Sequence, residues 1–202
     1  MLLSEIMYNY DVENVFRHIV FNNIGIINKH FGMHRRELRN IPKWIHPSYG
    51  FKNMLTNLNK LYFKRIVGFK DHHLAIPNKK SVFEKVWELE GDVLDRACMN
   101  KFRSPMDFSD WLMRYWNFLT GKFEPINLSE VGEYCSFDYD DSLDLICEKI
   151  KKQEKPILVI NDTLNTTDEN QFFECQKKII EAFESILPDI CSFEKELTVV
   201  SH

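Results

Sequence analysis

The sequence predicts an α/β protein that is mainly helical and carries one small βαβ unit of parallel strands. Three observations predict this. Apolar residues recur at helical spacing over most of the first 120 positions. The last third then switches to a short run rich in β-branched residues, Pro156 to Ile160, bounded by polar residues. A helical stretch, Ser142 to Lys152, separates that run from a second short strand pattern at Tyr134 to Phe137, and the order strand, helix, strand implies a parallel pair. The run Pro156 to Ile160 reads as a buried strand.

Taken in order, the elements begin with a helix that Asp11 caps. Val12, Val15, Phe16, Ile19, Val20, Asn23 and Ile27 share one of its faces, and Gly32 is its stop. IPKWIHPSYG, residues 41–50, holds two prolines and a glycine and reads as an irregular connection. A second helix spans Lys52 to Val67 with Met54, Leu55, Leu58, Leu61 and Tyr62 inward. Ser81 and Glu84 form a capping box for the next, whose buried stripe is Phe83, Val86, Trp87, Leu94 and Ala97. Ser104-Pro105 opens a further helix, with Asp107 in its first turn and Gly121 at its end. Thr166 and Glu169 form another capping box ahead of a last helix bearing Phe172, Phe173, Ile179, Ile180, Phe183 and Leu187, which Pro188 stops. No internal repeat or low-complexity tract interrupts this order.

Composition narrows the function. With 202 residues, 44% hydrophobic and 28% charged, the chain is globular, and its length fits one domain or a tight pair. A net charge of −4 argues against a nucleic-acid coat. The basic stretches His34-Arg35-Arg36 and Lys149 to Lys152 are short and read as solvated surface. Cys98, Cys135, Cys147, Cys175 and Cys191 lie far apart without a C-x-x-C pair, which fits a reducing compartment. Glu5 and Asn9 interrupt the apolar start, so no signal peptide is expected, and no apolar run is long enough to span a bilayer. The expected location is cytoplasmic, the inner face of the membrane included.

Three places combine polar residues with the borders of regular elements. Asp71-His72-His73 precedes a proline-containing turn, and histidine moves protons near neutral pH, although a surface histidine without a role is the commoner case. Lys101-Phe102-Arg103-Ser104 lies at the expected start of a helix, where backbone N–H groups and two cations suit an anion; a solvated basic turn is the plainer reading. Asn161-Asp162 follows the expected buried strand, and parallel sheets bind ligands beyond the carboxyl ends of their strands; a simple turn is the alternative. Two metal readings fail. Asp138-x-Asp140-x-Ser142 opens like a calcium loop, but Leu143 stands where the turn glycine belongs. His30 and His34 are spaced i, i+4, but Gly32 lies between them and no third ligand is evident.

Read together, these places resemble the Stealth family of sugar-phosphate transferases. His73-Leu74-Ala75-Ile76-Pro77, followed by Ser81-Val82-Phe83-Glu84-Lys85-Val86-Trp87, is similar to the family's histidine, proline turn and S-x-x-E-x-x-W helix. Lys101 to Asp107, leading into Trp111-Leu112 and Tyr115-Trp116, resembles its RFRSPED…WL…YY block. Ile160-Asn161-Asp162-Thr163 is similar to its C-L-N-D-N block, and Leu187-Pro188-Asp189 with Ser192-Phe193-Glu194-Lys195 to its FPxxSxFEK ending. The resemblance spans roughly Asn22 to Lys195, with Ala75 where proline is usual and Ile160 where cysteine often stands. The family's aspartate-rich VDGSD-like and NDD blocks are missing. Residues 1–202 are therefore expected to be a single domain or part-domain, the C-terminal half of such a transferase.

The resemblance implies transfer of a sugar-1-phosphate from a nucleotide-sugar donor to a glycan acceptor hydroxyl, in bacterial capsular or exopolysaccharide synthesis. It implies a divalent cation, Mg2+, whose ligands are not identifiable in this chain. The chain reads as a fragment, as a half whose partner is a separately encoded N-terminal half, or as a divergent member. It picks out His73 as a catalytic residue, because the matching histidine stands four residues before the proline: the general base for the acceptor hydroxyl, or equally an orienting or phosphate-binding group. Arg103 becomes the electrostatic catalytic group, and Lys101, Asn161 and Asp162 the substrate-binding residues. These residues are expected to converge on one polar cleft, and this chain alone is expected to be inactive. A nucleotide-sugar glycosyltransferase, and a non-catalytic remnant that binds or scaffolds a partner, are the competing readings.

Overall fold

The computed structural model describes residues 14–32, 34–64, 68–137, 140–162 and 168–197. The chain divides into two compact units: Met1–His72 with Ile76–Asn127, and His73–Ala75 with Leu128–His202. The fold is mainly helical with one two-stranded parallel sheet, as the sequence predicts.

The first unit is built from α1 (Asn14–Phe31), two short helical turns α2 (Ile41–Trp44) and 3-10 Pro47–Tyr49, α3 (Gly50–Tyr62), α4 (Lys80–Cys98) and α5 (Trp111–Leu119). Helix α5, WLMRYWNFL, has an apolar or aromatic residue at almost every position. A helix that is hydrophobic all round must be enclosed, and every residue from Trp111 to Asn117 is buried, as is Leu119. It packs against α1 and α4. Helix α1 contributes Asn23, Ile26 and Ile27 to this core, and α4 contributes Val82, Val86, Glu90 and Leu94, an unbroken i, i+4 row. Buried Asn23 is satisfied by Ser109: its amide donates to Ser109 Oγ at 2.9 Å and its carbonyl accepts from Ser109 N at 3.3 Å. Gly32 and Gly121 follow α1 and α5 with φ of 66° and 69°, the left-handed conformation that ends a helix most cheaply at glycine.

Several boundaries differ from the sequence reading, each for a local reason. Residues 41–50 fold into two helical turns instead of an irregular connection, with Pro42 and Pro47 in their first turns. Helix α3 stops at Tyr62, where Phe63 turns extended; Val67 lies outside the described residues. Its Leu55, Leu58 and Tyr62 are exposed, not inward, and Met54, Asn57 and Leu61 take the inner side. Helix α4 starts at Lys80, so Ser81 sits inside the helix and caps nothing. Asp11 and Val12 lie outside the described residues.

The second unit holds α6 (Leu128–Val131), β1 (Gly132–Ser136), α7 (Asp140–Lys152), β2 (Ile157–Asn161), α8 (Glu169–Glu184) and α9 (Ser192–Leu197). The strands pair in parallel, Gly132 opposite Ile157 through to Ser136 opposite Asn161. Helix α7 makes the crossover and α8 packs on it, enclosing Cys135, Phe137, Leu143, Ile146, Cys147, Ile150 and Ala182. The expectation of a buried strand is corrected: Ile157 to Ile160 are only half-buried, because the described sheet stops at two strands and leaves β2 without a second neighbour. On α8, Phe172, Phe173, Ile180 and Phe183 are exposed, while Ala182 is buried and Ile179 packs against the core. The helix ends at Glu184, ahead of Pro188. Its cap is Asp168, whose carboxylate accepts from Asn170 N at 2.9 Å; Thr166 lies outside the described residues.

Candidate active site

Asp71 is the most constrained polar residue beside the predicted histidines. Arg114 Nη1 donates to Asp71 Oδ1 at 2.7 Å and Nη2 to the Lys70 carbonyl at 3.0 Å. Tyr115 OH donates to Asp71 Oδ2. The guanidinium also lies 4.9 Å over the Phe118 ring. Burial pushes the Asp71 carboxyl up to about 6, against the lowering effect of Tyr115 and Arg114. Burial, then the Asp71 charge, raises the Tyr115 phenol far above its ordinary value. This network pins the backbone immediately before His72 and His73. The sequence reading included Asp71 but missed its partners. The available signal was an arginine inside an otherwise apolar helix, since a buried guanidinium requires a carboxylate.

His73 belongs to the second unit. Its ring meets Tyr134 of β1 at 4.8 Å with the planes 32° apart. The next residue, Leu74, is buried against the start of the same strand: a Cβ built on Gly132 would come within 3.1 Å of Leu74 Cδ1 and 2.9 Å of the Ile157 carbonyl. Glycine at 132 therefore permits the close approach of both strands and of the histidine-bearing segment. Asn161 ends β2 opposite Ser136, and its carbonyl accepts from Phe137 N at 3.2 Å; exposed Asp162 follows. Tyr134 is two residues from Ser136, roughly 7 Å of strand. The second unit thus holds His73, Asn161 and Asp162 on or beside the same two strands.

Lys101 and Arg103 belong to the first unit, and here the sequence reading is corrected. They do not stand at a helix N-terminus. Ser104 to Asp107 closes into a turn, with Asp107 N bonded to the Ser104 carbonyl at 3.0 Å and Asp107 Oδ2 accepting from Ser104 N at 2.7 Å. Asn100 Nδ2 donates to Asp107 Oδ1 at 2.8 Å, and Asn22 Nδ2 reaches the carbonyls of Pro105 and Asp107 at 2.8 and 2.9 Å. The side chain that was to sit in a helical first turn instead folds back on the cap residue, so the helix starts only at Trp111. Lys101 and Arg103 are exposed on this rigid turn, with the Lys101 ammonium 5.5 Å from the Phe102 ring centroid.

A buried carboxylate, Glu90, also lies in the first unit. Lys29 Nζ and His30 Nε2 each stand 2.6 Å from its Oε1, and Glu90 itself departs from helical geometry (φ −133°, ψ 21°), which kinks α4. Burial raises this carboxyl, but the hydrogen bonds from Lys29 and His30 outweigh that and hold it below its ordinary range. This cluster ties α1 to α4. Among the described residues no group of three or more His, Cys, Asp or Glu side chains suits a metal ion, and no helix is long and apolar enough to cross a membrane.

The chain is similar, over most of its length, to curated bacterial polysaccharide phosphotransferases. It is 38% identical over 180 residues to the capsular polysaccharide phosphotransferase WcwK of Streptococcus pneumoniae, covering 89% of this chain and 52% of that protein. The receptor polysaccharide phosphotransferase WefC of Streptococcus gordonii is 32% identical over 177 residues (88% and 51%), and the exopolysaccharide phosphotransferase cps2G of Lactiplantibacillus plantarum 31% over 180 (89% and 51%). The chain spans about half the length of the curated relatives it matches. No family model and no solved structure matches it.

Proposed function

We propose that this chain is part of a Stealth-type enzyme that transfers a sugar-1-phosphate from a nucleotide sugar to a glycan hydroxyl in capsular or exopolysaccharide synthesis. The observation that carries the proposal is the similarity over nearly nine-tenths of the chain to proteins named as polysaccharide phosphotransferases. In the proposed reaction the acceptor oxygen attacks the sugar-bearing phosphorus of the donor. The bond from that phosphorus to the oxygen bridging to the nucleotide breaks, leaving a phosphodiester and a nucleoside monophosphate. The acceptor's proton passes to a base, and His73, exposed and anchored by Tyr134 and Leu74, is assigned that role.

Arg103 keeps its charge at any working pH, so its part is electrostatic: it holds phosphate oxygens as charge moves to the leaving group. Its setting on a turn fixed by Asp107 and Asn22 favours aim over reach. Lys101, Asn161 and Asp162 are assigned to substrate binding. The Mg2+ of the proposal finds no ligand cluster among the described residues, so no step is routed through it. The other half of the enzyme, supplied by polypeptide outside this chain, completes the donor site. We place the enzyme in the cytoplasm, at the inner face of the membrane.

A glycosyltransferase would keep both phosphates on the nucleotide; the names of the matched relatives favour the phosphotransferase. The test is complementation. Turnover of nucleotide sugar should be absent with the purified chain and appear when the remaining portion of a matched relative is added or fused. Robust turnover by the chain alone, or none in any complemented form, would refute the proposal.

A further inference from the structure

We propose that α3, with the exposed lysines at its two ends, forms a docking face for an anionic lipid bilayer, with the helix lying in the headgroup plane. Phe51, Leu55, Leu58 and Tyr62 stand at i, i+4, i+7 and i+11, a single stripe along the helix. They are 74%, 43%, 50% and 80% exposed, and Phe63 beyond the helix end is 47% exposed. The inner side of the same helix is already occupied: Asn57 Nδ2 donates to the Trp44 carbonyl at 2.8 Å and Leu61 packs on the core. The outer stripe is therefore a second apolar edge that packing within the unit does not use.

Charge identifies the occupant. Helix α3 contains no Asp or Glu. Of the 26 Lys and Arg of an acidic chain, nine fall between residues 35 and 70, against one carboxylate, Glu37, of the chain's 30. Lys52 in the first turn of the helix and Lys64 just beyond its end are exposed and make no ion pair with a described residue. A cationic helix with an aliphatic and aromatic stripe suits acyl chains below and acidic headgroups beside it, and long lysine stems reach outward to those headgroups. Each cation near such a surface strengthens binding by about fivefold. A second copy of this chain would set like charge against like charge across a two-fold axis. A polyanion such as nucleic acid would leave Phe51, Leu55 and Leu58 in water.

The test is flotation of the full 202-residue chain with vesicles of phosphatidylglycerol and phosphatidylcholine, against vesicles of phosphatidylcholine alone. The chain should float with the first and not the second, and 0.5 M salt should weaken binding by about tenfold or more, since surface charges are then screened. Leu55→Glu/Leu58→Glu and Lys52→Glu/Lys64→Glu should each lower binding at least tenfold without changing the thermal melt, because these positions are exposed. Failure of the wild-type chain to float with anionic vesicles, or equal flotation of both double variants, would overturn the proposal. A wild-type dimer in light scattering that Leu58→Glu converts to monomer would assign the stripe to self-association and overturn it as well.

Discussion

The two compact units solve burial in opposite ways. The first encloses a helix, α5, that is apolar or aromatic at almost every position, and it pairs buried Glu90 and half-buried Asp71 with named cations. The second carries its apolar run on a strand that stays half-buried, since a two-stranded parallel sheet has too few neighbours to cover it. Parallel strands are ordinarily covered on both faces, so the second unit is the one that gains most from further packing. In the first unit Glu90 is paired between α1 and α4 and Asp71 is paired with Arg114, whereas His73 and Asp162 of the second unit are exposed.

The sharpest way to break this comparison is to unpair a sealed group. Arg114→Ala strands the Asp71 carboxylate and should cost about 3–5 kcal/mol. Amide exchange should report the loss in α5 and α1 while β1, β2 and α7 keep their protection. Equal loss in both units would show that they are not separate folding units.

The exposed residues should behave in reverse. In a chain completed with the remainder of a matched relative, His73→Ala and Arg103→Ala should each lower turnover by about a hundredfold or more, with an unchanged melt. Full activity in either variant would remove it from the site. Gly132→Ala forces a methyl group to 2.9 Å from the Ile157 carbonyl. It should destabilise the second unit by about 1–3 kcal/mol, read by chemical denaturation, and displace the histidine segment that Leu74 anchors.

The smallest effect is a pH dependence of two signs. Asp71 titrates at about 6 in the fold, above its ordinary 3.8, so its contribution is complete below that ordinary value and is lost as pH rises toward 6 and beyond. Glu90 is lowered, so its contribution is complete above its ordinary 4.5 and is lost as pH falls through its folded value. Urea unfolding should show a decline in stability between about pH 4 and 6 that Asp71→Asn flattens and Glu90→Gln leaves in place. An unchanged slope in Asp71→Asn would contradict the assignment.

Periodicity made the order of helices and the βαβ unit legible, because each apolar face repeats locally. It did not say which of the two apolar edges of α3 faces the core: Leu55 and Leu58 share the spacing of inward residues, yet the inner side belongs to Met54 and Leu61. Cap signals misled where the same residue types close a turn, as Ser104 and Asp107 do. The candidate residues His73, Arg103 and Asn161-Asp162 were read from short segments, and such segments do not show the pairing of Asp71 with Arg114. Asp71 and Arg114 are 43 residues apart, and no local pattern links a carboxylate in a loop to a guanidinium in an apolar helix.

In the proposed reaction the donor breaks at the bond between the sugar-bearing phosphorus and the oxygen that bridges its two phosphorus atoms. The completed enzyme should be incubated with a nucleotide sugar and a glycan acceptor, and the nucleotide product separated by chromatography. Nucleoside monophosphate should form in equal amount to a new phosphodiester in the glycan, and should be lost in His73→Ala. Nucleoside diphosphate with an ordinary glycosidic product would contradict the proposed reaction.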